Sequence, residues 1–213
     1  MPAGPNAMGA YERYLMPRLV NCVCGSPVIA HQRRLVVPLA RGRILEVGFG
    51  SGLNLAHYER SAVEWIWALE PSAPMRALAA PRIASSGLDV RLLDLPGEAI
   101  PLPDASVDSI VMTFTLCTIP DALAALHQMR RVLRPGGRLL FCEHGAAPDA
   151  PVRRWQDRLD GLWGRFAGGC HLNREIALLI ASAGFRLDQV ENAYLPHTPR
   201  FAGYNTWGVA SAA

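Results

Sequence analysis

The chain has 213 residues, half of them hydrophobic, 18% charged, with a formal charge of +3; this suits one compact domain with a full α/β core and excludes a disordered chain. All 21 basic residues are arginine, which excludes a P-loop lysine and a Schiff-base lysine, and their scatter along the chain argues against a nucleic-acid partner. Five cysteines, at 22, 24, 117, 142 and 170, lack paired zinc spacing, so buried thiols in a reducing cytoplasm and no metal site are expected.

In chain order, Met1 to Gly9 is rich in Pro, Gly and Ala and is expected to fray. Tyr11, Leu15, Leu19 and Val20 recur near helical spacing with Arg13 and Arg18 between them, which predicts a short amphipathic helix that packs on the domain, caps a ligand or touches a membrane surface. A second short helix is expected over Val28 to Leu39. Strands and helices then alternate: strand Arg43 to Val47, helix Gly52 to Tyr58, strand Trp65 to Glu70, helix Ala73 to Ala80, strand Val90 to Asp94 and strand Asp108 to Thr113. Asp121 is placed to cap a helix with Ala122, Ala125, Leu126, Met129 and Leu133 on one face, ended by Pro135-Gly136-Gly137. Strand Arg138 to Glu143 follows, then a helix carrying Trp155, Leu159, Leu162 and Phe166, and a helix from Arg174 to Ala183. Phe185 to Ala193 and Gly203 to Ala210 have no helix between them and are expected to pair antiparallel. The fold class is therefore α/β: a three-layer sandwich around a seven-stranded, mostly parallel sheet with an antiparallel last strand. No apolar run reaches the roughly 18 residues that span a bilayer, so membrane contact, if any, is expected to be peripheral.

In such a sheet, ligands bind beyond the carboxyl ends of the strands. After the first strand comes Glu46-x-Gly48-x-Gly50-x-Gly52, where missing Cβ atoms let a ligand lie against backbone N–H groups. A dinucleotide fingerprint needs glycine three positions after Gly50, which is Leu53; an NAD-linked reductase is thereby disfavoured. Glu70 closes the second strand, where a carboxylate accepts both hydroxyls of a ribose.

The Glu46-to-Gly52 turn resembles motif I of class I S-adenosylmethionine-dependent methyltransferases. The run from Leu93 to Asp108 resembles the adenine-contacting segment of the type 11 group, and Arg131-Val132-Leu133-Arg134-Pro135-Gly136-Gly137-Arg138-Leu139 and Ser182-Ala183-Gly184-Phe185 are similar to its later signatures. The resemblance implies a Rossmann-like fold and S-adenosylmethionine as cofactor, with S-adenosylhomocysteine as product. Carried over by position, it places Glu46, Gly48, Gly50 and Gly52 around the methionine moiety and Glu70 on the ribose. Met75, Glu98 and Ala99 fall at the adenine, and Thr113 and Phe114 beside the methionyl tail. A core role is the alternative for Met75 and Phe114. Residues 1–213 are expected to form one domain, with 1–40 as a helical lid and 41–213 as the cofactor-binding core.

Tyr11-x-x-Tyr14-x-x-Pro17-Arg18-Leu19, Cys117-Thr118, Phe141-Cys142-Glu143-His144 and Gly168-Gly169-Cys170-His171-Leu172-Asn173-Arg174 together resemble the branch of alkyl thiol methyltransferases and, more distantly, bacterial phosphatidylethanolamine N-methyltransferases. The expected acceptor is a small or lipophilic thiol, with a phospholipid amine second and a quinone-precursor ring third; a noncatalytic cofactor-binding protein is the alternative of another class. A thiol reacts as thiolate, which makes His144 the first candidate base and His171 the second, with Glu143 orienting either. Each has a structural alternative: a backbone hydrogen bond for His144, a place before an Asn173 helix cap for His171, a solvated or capping carboxylate for Glu143. For Cys117 a packing role is expected. Tyr11 and Tyr14 are expected over the methyl group, and Glu70→Ala is expected to lose the cofactor yet stay folded, because Glu70 ends a strand.

Overall fold

A computed structural model describes Gly9 and residues 11–212, the side chain of Glu12 excepted; Met1 to Met8, where fraying was expected, lie outside the described residues. The strands are β1 (Gly42–Val47), β2 (Val63–Leu69), β3 (Val90–Leu93), β4 (Val107–Thr113), β5 (Leu133–His144), β6 (Phe185–Tyr194) and β7 (Tyr204–Ala212). They form one sheet in the order β3-β2-β1-β4-β5-β7-β6. β1 pairs parallel with both β2 and β4, and β7 runs antiparallel to both β5 and β6. The expected fold class is the one observed.

Alternation along the central strands explains the layers. Leu45 and Val47 of β1 and Ile110 and Met112 of β4 enter one core cluster; Ile44 and Val111 enter the other, on the opposite face. A strand buried on both faces reads as a continuous apolar run, and all seven residues of β4 are buried. The first cluster is closed by α4 (Ala122–Val132) and α6 (Ile176–Ser182); the second includes residues of α2 (Pro27–Val36) and α3 (Ala73–Ser86). Two further helices, α1 (Met16–Cys24) and α5 (Ala150–Phe166), and a four-residue turn, α7 (Arg200–Gly203), complete the chain.

Three local expectations are corrected. The segment after Gly52 is not an α-helix but a single 3-10 turn, Leu53–Ala56; Asn54 within it and Tyr58 beyond it both turn inward to bond Glu46. α4 stops at Val132, before Pro135, and the chain passes directly into β5. The register then jumps from Val107 opposite Leu133 to Ser109 opposite Arg138, so residues 134–137 loop out of the ladder as an irregularity that Gly136, at φ +77°, makes cheap. Third, Tyr11–Leu15 form a π-helical turn ahead of α1, which leaves Tyr14 59% exposed.

The strand order reverses between β1 and β4, the point at which a crevice opens beyond the strand ends. Val47, Leu69, Leu93 and Thr113 end their strands along this edge.

Candidate active site

A cavity of about 450 Å³ lies at that edge. Its floor is Val47, Gly48, Phe49, Gly50 and Ser51 after β1, Leu69 to Ser72 after β2, and Thr113 to Thr115 after β4. Gly48 has φ +71°, and a Cβ there would sit 2.1 Å from Thr115 Oγ1; Gly50 has φ +58°. Only glycine lets the turn fold back this tightly beneath a ligand. Phe114, a bulky residue, is also held at φ +55°, by its N–H on the Cys142 carbonyl at 2.8 Å. Left-handed backbone at such a residue costs on the order of 1–3 kcal/mol and collects at functional sites.

Glu70 sits at the rim of β2 with 8% exposure. Its Oε2 accepts the Gly50 N–H at 2.8 Å and its Oε1 the Ser72 N–H at 2.8 Å. Burial raises its pKa while those two backbone bonds pull it down. Each oxygen retains a second lone pair, so a vicinal diol can still be gripped. Glu70 is thus a strand-end residue that is also buried and bonded, and Glu70→Gln, which keeps a carbonyl acceptor for these backbone groups, disturbs its surroundings less than Glu70→Ala.

Glu46 is sealed behind the floor. It is 1% exposed, does not line the cavity, and accepts Asn54 Nδ2 at 2.9 Å and Tyr58 OH at 2.6 Å. Burial pushes its pKa up to about 7, against the pull of Tyr58, Asn54 and Arg33. Arg33, which composition and spacing did not single out, reaches in from α2: Nη1 donates to Asn54 Oδ1 at 2.7 Å and to Thr113 Oγ1 at 2.6 Å, and the guanidinium stands 5.4 Å from the Phe114 ring centroid. It is 6% exposed and lines the cavity.

Of the other expected cofactor residues, Met75, Glu98, Thr113 and Phe114 line the cavity; Gly52 faces a neighbouring pocket, and Ala99 is exposed with its N–H on the Pro96 carbonyl. From the N-terminal segment the lining side chains are Met16, Val20, Cys24 and Arg33, while Tyr11 and Tyr14 do not line it. Tyr11 OH instead donates to the Phe166 carbonyl at 2.7 Å.

None of the three expected catalytic residues lines the cavity. Glu143 is fully buried, with both oxygens on the Thr115 N–H at 2.8 and 2.9 Å; burial raises its pKa, and the Thr115 and Leu116 amides oppose that. His144 Nε2 lies 2.8 Å from Cys170 Sγ. His171 Nδ1 lies 2.8 Å from Asp160 Oδ2, at the surface.

The residues present fit an adenosyl amino acid. Arg33 and Glu98 line the cavity, and Arg33 Nε and Glu98 Oε2 are buried side-chain atoms with no partner among the described residues. One is a donor suited to a carboxylate, the other an acceptor suited to an exocyclic amine, and they line the same cavity as Glu70 and the bare Gly48–Gly50 backbone. Residues 45–141 match the family model described as methyltransferase domain. The chain is 31% identical over 169 residues to the thiol S-methyltransferase TMT1B of Homo sapiens, covering 75% of this chain and 68% of that one. The chain belongs to the S-adenosylmethionine-dependent methyltransferases.

Across the thiol S-methyltransferases it matches, the alignment spans between 62% and 68% of their length. A phosphatidylethanolamine N-methyltransferase of Cereibacter sphaeroides is 28% identical, over 70% of this chain and 72% of that one. Among solved structures, a SAM-dependent methyltransferase from Aquifex aeolicus superposes with a TM-score of 0.62 at 20% identity, covering 92% of this chain and 98% of that chain. That likeness is one of fold. In this methyltransferase the floor of the cavity comes from the ends of β1, β2 and β4, and Arg33 comes from outside the matched region.

Proposed function

We infer that this methyltransferase transfers the methyl group of S-adenosylmethionine to a small or lipophilic thiol. The observation that carries the reading is the division of the cavity wall. Its cofactor end holds Glu70, Arg33 and Glu98, whereas the remainder, in which Met16, Val20, Leu53, Ile119, Pro120, Ala167 and Gly168 outnumber Cys24, Thr115 and Thr118, offers no charged side chain to an acceptor. An apolar acceptor end suits a carbon chain bearing a soft nucleophile, and the thiol S-methyltransferases among its relatives support the same choice.

The sulfonium supplies an already activated carbon, so what the protein must contribute is alignment and exclusion of water. Glu70 accepts the ribose hydroxyls, Arg33 Nε donates to the amino-acid carboxylate, and Glu98 Oε2 accepts from the adenine amine. Gly48 and Gly50 leave room for the methionyl chain. Residues 1–40 act as a lid through Met16, Val20 and Cys24, and 41–213 as the catalytic core. Glu143 serves as a positioning residue, holding the 115–117 backbone, of which Thr115 lines the cavity, whereas His144 and His171 stand outside the cavity and take no part in the transfer. A thiol with its ordinary pKa near 8.5 is already about 3% thiolate at pH 7, so it needs no dedicated base to react.

Peripheral contact with a lipid surface belongs to the same reading. Leu15, Leu19 and Val23 of the first helical segments and Leu162 and Phe166 of α5 are exposed, and the Tyr11–Phe166 bond ties these two segments together.

Transfer of radiolabelled methyl to alkyl thiols, phosphatidylethanolamine vesicles and phenolic rings tests the assignment. Label is expected in the thiol ether, at least tenfold above the other two acceptors. Label in the phospholipid alone would replace this reading with N-methylation, and cofactor binding with no labelled product would make the protein a noncatalytic binder.

A further inference from the structure

Behind the wall formed by Thr115, Thr118, Ala167 and Gly168, three donor atoms from three separate segments converge. Cys117 follows β4, His144 ends β5, and Cys170 lies on the loop between α5 and α6. Cys170 Sγ is 3.5 Å from Cys117 Sγ and 2.8 Å from His144 Nε2, and all three donors lie within 4.8 Å of one another. Cys117 is 2% exposed and Cys170 is half-buried. The cofactor and acceptor chemistry above uses none of these atoms.

We propose that Cys117, His144 and Cys170 form a zinc site that fastens the 167–172 loop, part of the cavity wall, to the ends of β4 and β5. Two sulfurs and one imidazole nitrogen are the donors that zinc prefers, and tetrahedral bonds of about 2.3 Å to sulfur and 2.0–2.1 Å to nitrogen place sulfurs roughly 3.8 Å apart and sulfur and nitrogen roughly 3.6 Å apart. The sulfur pair already has nearly that spacing, and the histidine must withdraw from Cys170 by less than about 1 Å. Two thiolates and a neutral imidazole balance the dication, so the site is neutral beside the buried Glu143. With three protein ligands, the fourth position is left for water or an exogenous thiolate.

A second observation points the same way. A metal-bound histidine donates its other ring N–H to an outer partner that fixes the tautomer. His144 Nδ1 is buried with no partner among the described residues, and in the register Asn205 of β7 stands directly opposite His144. Asn205 is fully buried, and both Oδ1 and Nδ2 are without a partner among the described residues. Cross-strand neighbours share a face of the sheet with Cβ atoms about 5 Å apart. A small rotation of Asn205 would let its Oδ1 accept the Nδ1–H, leaving Nε2 for the metal. A disulfide would satisfy neither His144 nor Asn205.

The test uses the full-length chain, purified under reducing conditions and stripped of metal with a chelator. Cobalt(II) is titrated in and then displaced by zinc. The expected result is about one ion per chain, a near-ultraviolet thiolate-to-cobalt band, and a melting temperature raised by zinc and restored by chelator. Cys170→Ser is expected to lose the band and the zinc-dependent melting shift while Cys22→Ser, on the exposed face of α1, keeps both. Asn205→Ala is expected to weaken zinc roughly 10- to 100-fold. Should Cys117→Ser fail to fold, Cys170→Ser decides the matter alone. A stripped wild type that takes up neither ion would overturn the proposal, as would a band that survives in Cys170→Ser. So would peroxide forming a Cys117–Cys170 disulfide at the same rate with and without zinc.

Discussion

Glu46 and Arg33 form the tightest polar arrangement beneath the cofactor floor, joined through Asn54 rather than directly. A buried carboxylate with two neutral donors and a cation two bonds away is half-compensated, which is why its pKa settles at about 7 instead of near 4.5. The consequence for stability has a definite sign. Because the folded chain holds this proton more tightly than the unfolded chain, the contribution is fully present below pH 4.5 and is lost as pH rises through about 7. The shift corresponds to roughly 3 kcal/mol at most. Comparing urea unfolding of wild type and Glu46→Gln across pH 4.5 to 8 checks this: the variant is expected to lack that loss of stability. Parallel curves for the two proteins would refute the assignment. At this scale the sequence was only partly legible. The Glu46 and Glu70 positions follow from strand ends and glycine spacing, but Arg33 stands in an Arg33-Arg34 pair on a short helix, and nothing in the pattern distinguishes the buried member from the exposed one. Asn54 and Tyr58 were hidden for a different reason: four apart in a segment read as an α-helix, they share a face in either geometry, and nothing in the pattern shows that this face meets the buried Glu46.

The turn after β1 shows what its glycines do. Gly48 and Gly136 have nearly the same left-handed φ, +71° and +77°, but a Cβ at Gly48 meets Thr115 Oγ1 at 2.1 Å while one at Gly136 meets nothing within 4 Å. An alanine at either position pays about 1 kcal/mol for backbone strain; only at Gly48 must the loop after β4 also move. Gly48→Ala is therefore expected to cost at least ~2 kcal/mol more than Gly136→Ala in denaturant unfolding, and to weaken cofactor binding as well. Equal costs would mean that the β1 turn and the Thr115 loop are not in contact. The strands themselves were legible because a continuous apolar run bounded by glycine or proline has few alternatives in an α/β chain. Helix ends were less so: α4 gives way to β5 at Leu133 because the strand's first residue pairs with Val107, a tertiary contact that Pro135-Gly136-Gly137 does not encode.

Across the whole molecule, the reversal of strand order between β1 and β4 brings residues as distant as Arg33, Gly50, Glu70, Glu98 and Thr113 around one cavity. Topology also explains the cluster of Cys117, His144 and Cys170. Zinc spacing in a sequence is a local signal, and these ligands lie 27 and 26 residues apart, so cysteine arithmetic alone gave no metal site. The uncharged side of the cavity is likewise assembled from segments far apart in the chain, the N-terminal helix and the loop after α5. Cofactor capture by the joined strand ends is the claim on which the rest depends. Calorimetric titration of S-adenosylhomocysteine into wild type and Glu70→Gln tests it most directly: one molecule is expected to bind per wild-type chain, with affinity at least ~10-fold weaker in the folded variant, as befits the loss of a charged hydrogen-bond acceptor. No heat with folded wild type, or equal affinity in the two proteins, would contradict the account.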